Sequence, residues 1–388
     1  MKSRLNKNEV FFIGWFLVLF YYLLIAATNF AYIVSDVKII KWIIIILAMA
    51  FWLVKIMMDK YKKKQFLLIA IFVIVVLIAA IMSGKELLIL TLVFFLASNG
   101  IDIRRFVRFD MVVRLGFILL IFGLMLLGVL DDNILITAVN VKHSFGWLHS
   151  NTLASNAIIV LIDYIYIHWK KFKAYNFIVV LCVLTFLFFY VEARTSLYGF
   201  VITALWMIFA HWTKPFKVLE KVTKVIVSNI YIIATVLSYG LVYIYNTKSA
   251  FGYYLDDILT HRLKFSSSYM SQYGFSLFGQ EIETVSSISA RMSGASYAGV
   301  DMSYVLMPIQ YGVIYAVGFI CIFTFLAYIL YKKKMYGELT FVLFFAIAGL
   351  SSNVMLQFYR NFSLVFLWLI INDRNKTTNL NGKGNLIA

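Results

Sequence analysis

From Phe66 to Met82 the chain runs seventeen residues without a polar side chain, and runs of similar character recur from Val10 to Ile371. Such runs approach the roughly 20 residues that cross a bilayer as a helix and exceed the roughly 10 of a barrel strand. In hydrocarbon every backbone N–H and C=O must be paired within the protein, so these runs are expected to be helices. With two prolines in 388 residues, little interrupts them. Hydrophobic residues make up 63% of the chain and charged ones 14%, against roughly a quarter charged in soluble domains. The expected fold class is all-α, a polytopic membrane helix bundle.

About twelve transmembrane helices are expected: Val10–Ile33, Ile39–Met58, Gln65–Met82, Glu86–Ala97, Met111–Leu130, Asn151–His168, Tyr175–Val191, Arg194–Ala210, Val225–Tyr245, Asp301–Leu330, Glu338–Ser352 and Asn361–Ile371. The fourth and last are short. The tenth is long enough for its first turns to stand above the bilayer. Residues 1–373 then form one transmembrane domain, and the polar stretch 374–388 is a cytoplasmic tail with no expected fixed structure. The first run is too long for a signal-peptide core and lacks a clear small-residue cleavage site, so it is read as a retained helix. Cys182 and Cys321 lie inside apolar runs, which argues against a disulfide and against a zinc site.

Basic residues set the orientation. With the N-terminus in the cytoplasm, 25 of the 35 Lys and Arg fall on inner segments and 10 on outer ones, counting Arg114 as inner and Arg360 as outer. This is the positive-inside pattern. Together with attraction to anionic inner-leaflet lipid, it accounts for the net charge of +17 without nucleic acid. Both termini are expected in the cytoplasm. Two long loops are expected outside, 131–150 and 246–300, the larger one between the ninth and tenth helices.

Three helices run from outside to inside and point the positive ends of their dipoles at the outer surface. The sixth opens on His149-Ser150-Asn151-Thr152, the eighth on Glu192-Ala193-Arg194-Thr195-Ser196, and the tenth on Asp301-Met302-Ser303-Tyr304. Helix N-termini hold anions, so Arg194 with two such ends is a candidate clamp for a pyrophosphate. The competing reading is ordinary capping by Ser150, Asn151 or Ser196, with Arg194 snorkelling to the interface.

At helical period, residues 255–273 put Leu255, Ile258, Leu259, Ser266, Tyr269, Met270 and Tyr273 on one face together with Arg262. Asp256, Asp257, Lys264 and Ser268 fall elsewhere. One amphipathic helix is expected, its guanidinium directed inward at an anionic partner, either a bound phosphate or an outer carboxylate. Asp256-Asp257 is either a helix-end charge or a divalent-metal site, and the first use is the commoner. His143, His149 and His261 lack ligand spacing, so no metal is expected. The chain has no P-loop, Rossmann fingerprint or nucleophile elbow, and no cofactor is expected. Asp163 is the one clear acid well inside a span; a pump or ion-coupled transporter usually shows more.

Four patches, in order, resemble the repeat-unit polymerases of bacterial surface polysaccharides (Wzy type), which are similar to the O-antigen ligases. Gly146-Trp-Leu-His149-Ser-Asn151-Thr-Leu-Ala resembles a family Gly-x-x-His-Pro-Asn-x-Leu-Gly. Glu192-Ala-Arg194-Thr195-Ser196-Leu resembles its Ser-Arg-Thr/Gly-small helix start. His261-Arg262 with the downstream Leu277-Phe278-Gly279 resembles its outer-loop arginine and Leu-Phe-Gly. Asp301-Met-Ser303-Tyr304 with Tyr311-Gly312 resembles its Asp-Asn-Ser-Tyr and Tyr-Gly. Ser150, Ala154 and Met302 depart from the family pattern, as does the spacing from arginine to glycine in the larger loop. The likeness spans roughly Gly146 to Asn361.

The resemblance implies an enzyme that joins oligosaccharide units carried on polyprenyl pyrophosphate, at the outer face of a bacterial cytoplasmic membrane, for a capsule or exopolysaccharide. It also implies a flippase and a chain-length regulator as partners. Charge develops on the leaving pyrophosphate, which calls for preorganised cations, and the attacking hydroxyl calls for a base. On this reading His149, Arg194 and Arg262 are the catalytic candidates. Asn151, Thr195, Ser196, His261, Asp301 and Tyr304 are the substrate-binding ones. Asp301, Glu192, His143 and His261 are further candidates for the base. Two other functions remain open: a ligase moving finished glycan to another acceptor, and a flippase or transporter of lipid-linked oligosaccharide.

Overall fold

A computed structural model describes residues 6–33, 36–61, 63–136, 141–191, 197, 199–206, 217–285, 290, 294 and 296–373. The described residues are mostly helical. Their one sheet is a two-stranded antiparallel ribbon, β1 (Leu135–Ile136) with β2 (Val141–Lys142). The helices are α1 (Lys7–Leu19), α2 (Phe30–Ile33), α3 (Val37–Met58), α4 (Lys63–Ser83), α5 (Glu86–Ala97), α6 (Ile103–Leu126), α7 (Ser150–His168) and α8 (Ala174–Phe186). There follow α9 (199–206), α10 (Lys217–Ser228), α11 (Ile230–Asn246), α12 (Ala250–Ile258) and α13 (Arg262–Tyr273). The last four are α14 (Ser303–Leu306), α15 (Val313–Lys332), α16 (Tyr336–Ala348) and α17 (Leu367–Asp373).

Local chemistry sets several helix ends. Asn6 and Glu9 form a reciprocal capping box at the start of α1, and the Asp102 carboxylate accepts from the Arg105 N–H at the start of α6. α1 lies close against α3 because residue 14 is glycine. A Cβ there would meet the Trp52 ring nitrogen at 2.5 Å. Around this contact Trp15, Phe94, Phe106 and Phe362 form an aromatic core.

Among the described residues six helices are long and apolar enough to cross a membrane: Lys7–Ile25, Val37–Met58, Gln65–Ser83, Ile103–Leu126, Ser150–Lys171 and Val313–Lys332. A seventh arises if Glu220–Ser228 and Ile230–Asn246, bent by 68°, count as one span. Four shorter apolar helices cover Glu86–Ala97, Tyr175–Val191, Tyr336–Ala348 and Phe362–Asn372. At 1.5 Å per residue these reach only about 17–26 Å, less than a roughly 30 Å hydrocarbon core.

Three expected elements take a different form. The tenth run, Asp301–Leu330, is broken. α14 passes into a π turn over Met307–Tyr311, Gly312 turns the backbone to φ 95°, and α15 begins afresh. The expected single helix over 255–273 is two, α12 and α13, separated by Thr260 and His261 in left-handed backbone (φ 54° and 64°). Arg114, assigned above to an inner loop, lies inside α6 and is fully buried. The fifth helix begins eight residues earlier than the apolar run, so its first two turns carry charge.

A clasp seals the break at Gly312. The Ser276 and Gln280 N–H groups donate to the Pro308 and Gln310 carbonyls, while Val313 and Ile314 N–H donate to the Ser276 and Leu277 carbonyls. The interrupted helix ends thereby recover partners that a continuous helix would have supplied. Both glycines of the Leu-Phe-Gly and Tyr-Gly patches sit in this clasp, at φ 117° and 95°. A Cβ on Gly312 would come 2.5 Å from the Phe278 carbonyl carbon, and one on Gly279 would come 3.1 Å from the Gln310 oxygen.

The stretch between α16 and α17 is also irregular yet buried, with Met355, Phe358 and Asn361 at 2%, 1% and 2% exposure. Side chains satisfy its backbone. Ser352 Oγ accepts from Val354, and Asn361 donates to Met355 O and accepts from Ser363 N–H.

Candidate functional site

Asp256 positions α13. It is buried, and its Oδ1 accepts from the Leu263 and Lys264 N–H groups at 2.9 and 3.0 Å. This pins the first turn of α13 and directs Arg262 inward. Asp256 is thus a helix-end charge, while Asp257 is exposed. Arg262 is 9% exposed, and its Nε lies 3.7 Å from Asp301 Oδ2. That distance is an ion pair, not a hydrogen bond. Among the described residues the buried Arg262 Nη1 atom has no hydrogen-bond partner.

Asp301 also meets the Tyr297 hydroxyl. Burial pulls the Arg262 pKa down, against the Asp301 carboxylate that holds it up. Burial pushes the Asp301 carboxyl up, against Arg262 and Tyr297. Tyr297 is raised by burial, then by the neighbouring carboxylate.

Asp301 and Tyr297 line a cavity of about 380 Å³ that also takes in Lys85, Gln310, Asn353 and Gln357. Gln310 Nε2 is buried without a partner among the described residues. The cavity brings together one lysine, one carboxylate and several amides, with an arginine behind the carboxylate. Such a set can hold an anionic group and orient a hydroxyl. The sequence reading missed Lys85, Tyr297, Gln310, Asn353 and Gln357 as site residues. Gln310 left a signal, a lone amide nine residues into an otherwise apolar run.

His149 is the N-cap of α7. Its own Nδ1 accepts from the Asn151 N–H at 3.1 Å. The cap is therefore His149, where Ser150 or Asn151 was expected. With the Nδ1 lone pair spent, the neutral ring carries its proton on Nε2, the wrong polarity for accepting one. Tyr304 is 1% exposed and its hydroxyl donates to the Ala346 carbonyl at 2.8 Å, inside the bundle. His261 is largely exposed, 3.3 Å from Asp256 Oδ2. Arg194, Thr195, Ser196 and Glu192 lie outside the described residues.

A second polar cluster lies inside the bundle. Arg114 pairs with Asp110 through two contacts (2.7 and 3.0 Å), donates to Asn156 Oδ1 at 2.8 Å, and reaches the Tyr359 carbonyl at 2.6 Å. Trp15 Nε1 donates to Asp110 at 2.6 Å. Asp163 has Asp110 and Arg114 as charged neighbours. Asp110, Arg114, Asn156 and Asp163 are all 0% exposed. No group of three or more His, Cys, Asp or Glu side chains converges on a metal-sized site among the described residues.

No family model, curated protein or solved structure matches this chain.

Proposed function

We propose that the protein is a membrane-embedded glycosyltransferase of the bacterial cytoplasmic membrane. It polymerises oligosaccharide units carried on polyprenyl pyrophosphate. In this reading the chain crosses the membrane about twelve times with both termini inside, and residues 246–300 stand outside with the cavity at their base. One observation carries the reading: buried Arg262 pairs with Asp301, which lines the cavity, and its Nη1 has no acceptor among the described residues. A guanidinium held without its full set of acceptors awaits one, and a pyrophosphate supplies oxygens in the right geometry. Lys85 at the same cavity adds a second positive charge. The resemblance of the four patches supports the substrate class. Flippase and chain-length regulator proteins are the partners this function requires.

The test is glycan length in the producing cell. Arg262→Ala should leave the protein inserted and reduce the glycan to single units, with chain growth slowed by about 10²–10³-fold, the loss typical of one transition-state donor. Arg262→Lys should restore little, because a lysine lacks the planar fork. Wild-type glycan length in Arg262→Ala would falsify the site assignment.

A second reading is a flippase or transporter of lipid-linked oligosaccharide. The Asp110–Arg114–Asp163 cluster favours it, since buried intramembrane charge often marks a transport path. The leaflet on which lipid-linked units accumulate without the protein separates the two. Outer accumulation supports the polymerase, and inner trapping supports the flippase.

A further inference from the structure

Asp132 stands at the start of the segment that leads into β1, and four donors converge on it. The Ser144 and Phe145 N–H groups donate to Oδ1 at 2.8 Å each, Ser144 Oγ adds a contact at 3.3 Å, and His143 Nδ1 lies 2.6 Å from Oδ2. Just after the two amides the backbone turns left-handed, with Phe145 at φ 51° and Gly146 at φ 88°. A non-glycine residue held there marks a geometry the surroundings enforce. Asn133 braces the same loop. Its N–H donates to Ser144 Oγ and its side chain to the Trp147 carbonyl, both at 2.9 Å.

The imidazole itself is held from two sides, and the backbone of His143 from a third. Asp132 holds Nδ1. Phe145 packs on the ring with centroids 5.6 Å apart. The His143 N–H donates to the Tyr190 carbonyl at 3.2 Å. The ring is about one-third exposed, and Nε2 has no partner among the described residues. The charged group facing the ring is Asp132, and Lys142 is its chain neighbour. From the helical end at Val191, Tyr190 meets this segment through its backbone. Burial alone would raise the Asp132 pKa, but the His143 contact and the two amides outweigh it, so the carboxyl sits below its usual range.

We propose that His143, oriented by Asp132, accepts the proton of the attacking hydroxyl, a proposal that rests on the polymerase reading. A carboxylate on Nδ1 leaves the lone pair on Nε2, where a base needs it. The other described histidines are built differently. His149 spends its Nδ1 lone pair on Asn151, His168 contacts the Tyr164 carbonyl, and His261 lies at a longer 3.3 Å from its carboxylate. In the step, the acceptor hydroxyl oxygen bonds to the anomeric carbon of the donor glycan. The bond from that carbon to the pyrophosphate oxygen breaks, and its electron pair leaves on the pyrophosphate. The hydroxyl proton passes to His143 Nε2 and then to water, while Asp132 balances the imidazolium.

The test uses membrane vesicles holding the full-length protein, supplied with lipid-linked units extracted from the producing cell. His143→Gln should slow chain growth by about 10²-fold or more, the usual yield of a general base, with unchanged insertion and melting. Asp132→Asn, which keeps the ring, should slow growth in the same direction. Wild-type rates in both variants, with Arg262→Ala inactive, would overturn the proposal and leave the polymerase reading standing. Wild-type rates in all three would sink the reading itself.

Discussion

Arg114 and Arg262 are both buried, and they spend their donors differently. Arg114 grips Asp110 with two contacts and gives further donors to Asn156 and Tyr359. Arg262 has one carboxylate at 3.7 Å and an Nη1 with no acceptor among the described residues. A satisfied buried pair belongs to the fold, whereas an unsatisfied one has room for a ligand. Asp110→Ala should therefore cost about 3–5 kcal/mol, the penalty of stranding a buried charge, read as a lowered melting temperature in detergent. Unchanged melting would mean the pair is less enclosed than described. Arg262 was legible in the sequence because its helical register put it on an apolar face. Arg114 was not. Hydropathy begins the fifth span at Met111, so an arginine three residues later reads as the edge of a loop. Only its i,i+4 spacing from Asp110 hinted otherwise.

At the scale of elements, the clasp at Gly312 explains two of the four resembling patches in terms of backbone alone. Leu277-Phe278-Gly279 and Tyr311-Gly312 lie against each other, and neither glycine has space for a side chain. Gly312→Ala should force the clasp open, since strain at φ 95° adds roughly 1–3 kcal/mol and the new Cβ would meet the Phe278 carbonyl. Limited proteolysis should then cut near Phe275–Phe278. Gly318→Ala, where a Cβ meets nothing within 4 Å, is the control and should remain resistant. Equal resistance of both variants would show that the clasp yields without cost. The break itself was hard to read, because one glycine in an apolar run is compatible with an unbroken helix. The split of residues 255–273 was equally hidden. Its left-handed turn opens on Thr260, a β-branched residue that does not advertise positive φ.

For the whole molecule, helical class and apolar spans were plain from composition, and the number of crossings was not. Helices such as α5 and α16 are too short to cross alone, and hydropathy cannot tell a short span from half of a broken one. The asymmetry of basic residues makes a sharper statement, which labelling can check. With Cys182 and Cys321 replaced by serine, a membrane-impermeant maleimide on intact cells should label Lys264→Cys and spare Lys333→Cys. The reverse pattern would invert the orientation and put the Arg262 cavity in the cytoplasm.

The Arg114 cluster also bears on how the chain is made. Asp110 and Arg114 are one turn apart, so α6 can enter the bilayer as a self-neutralised helix as soon as it is synthesised. Its remaining acceptors come later, Asn156 after 42 residues and the Tyr359 carbonyl after 245. A nascent chain stopped before Tyr359 would hold α6 in place with its guanidinium still short of a partner. Completion of the bundle is thus registered at its centre by a segment made long after α6 itself.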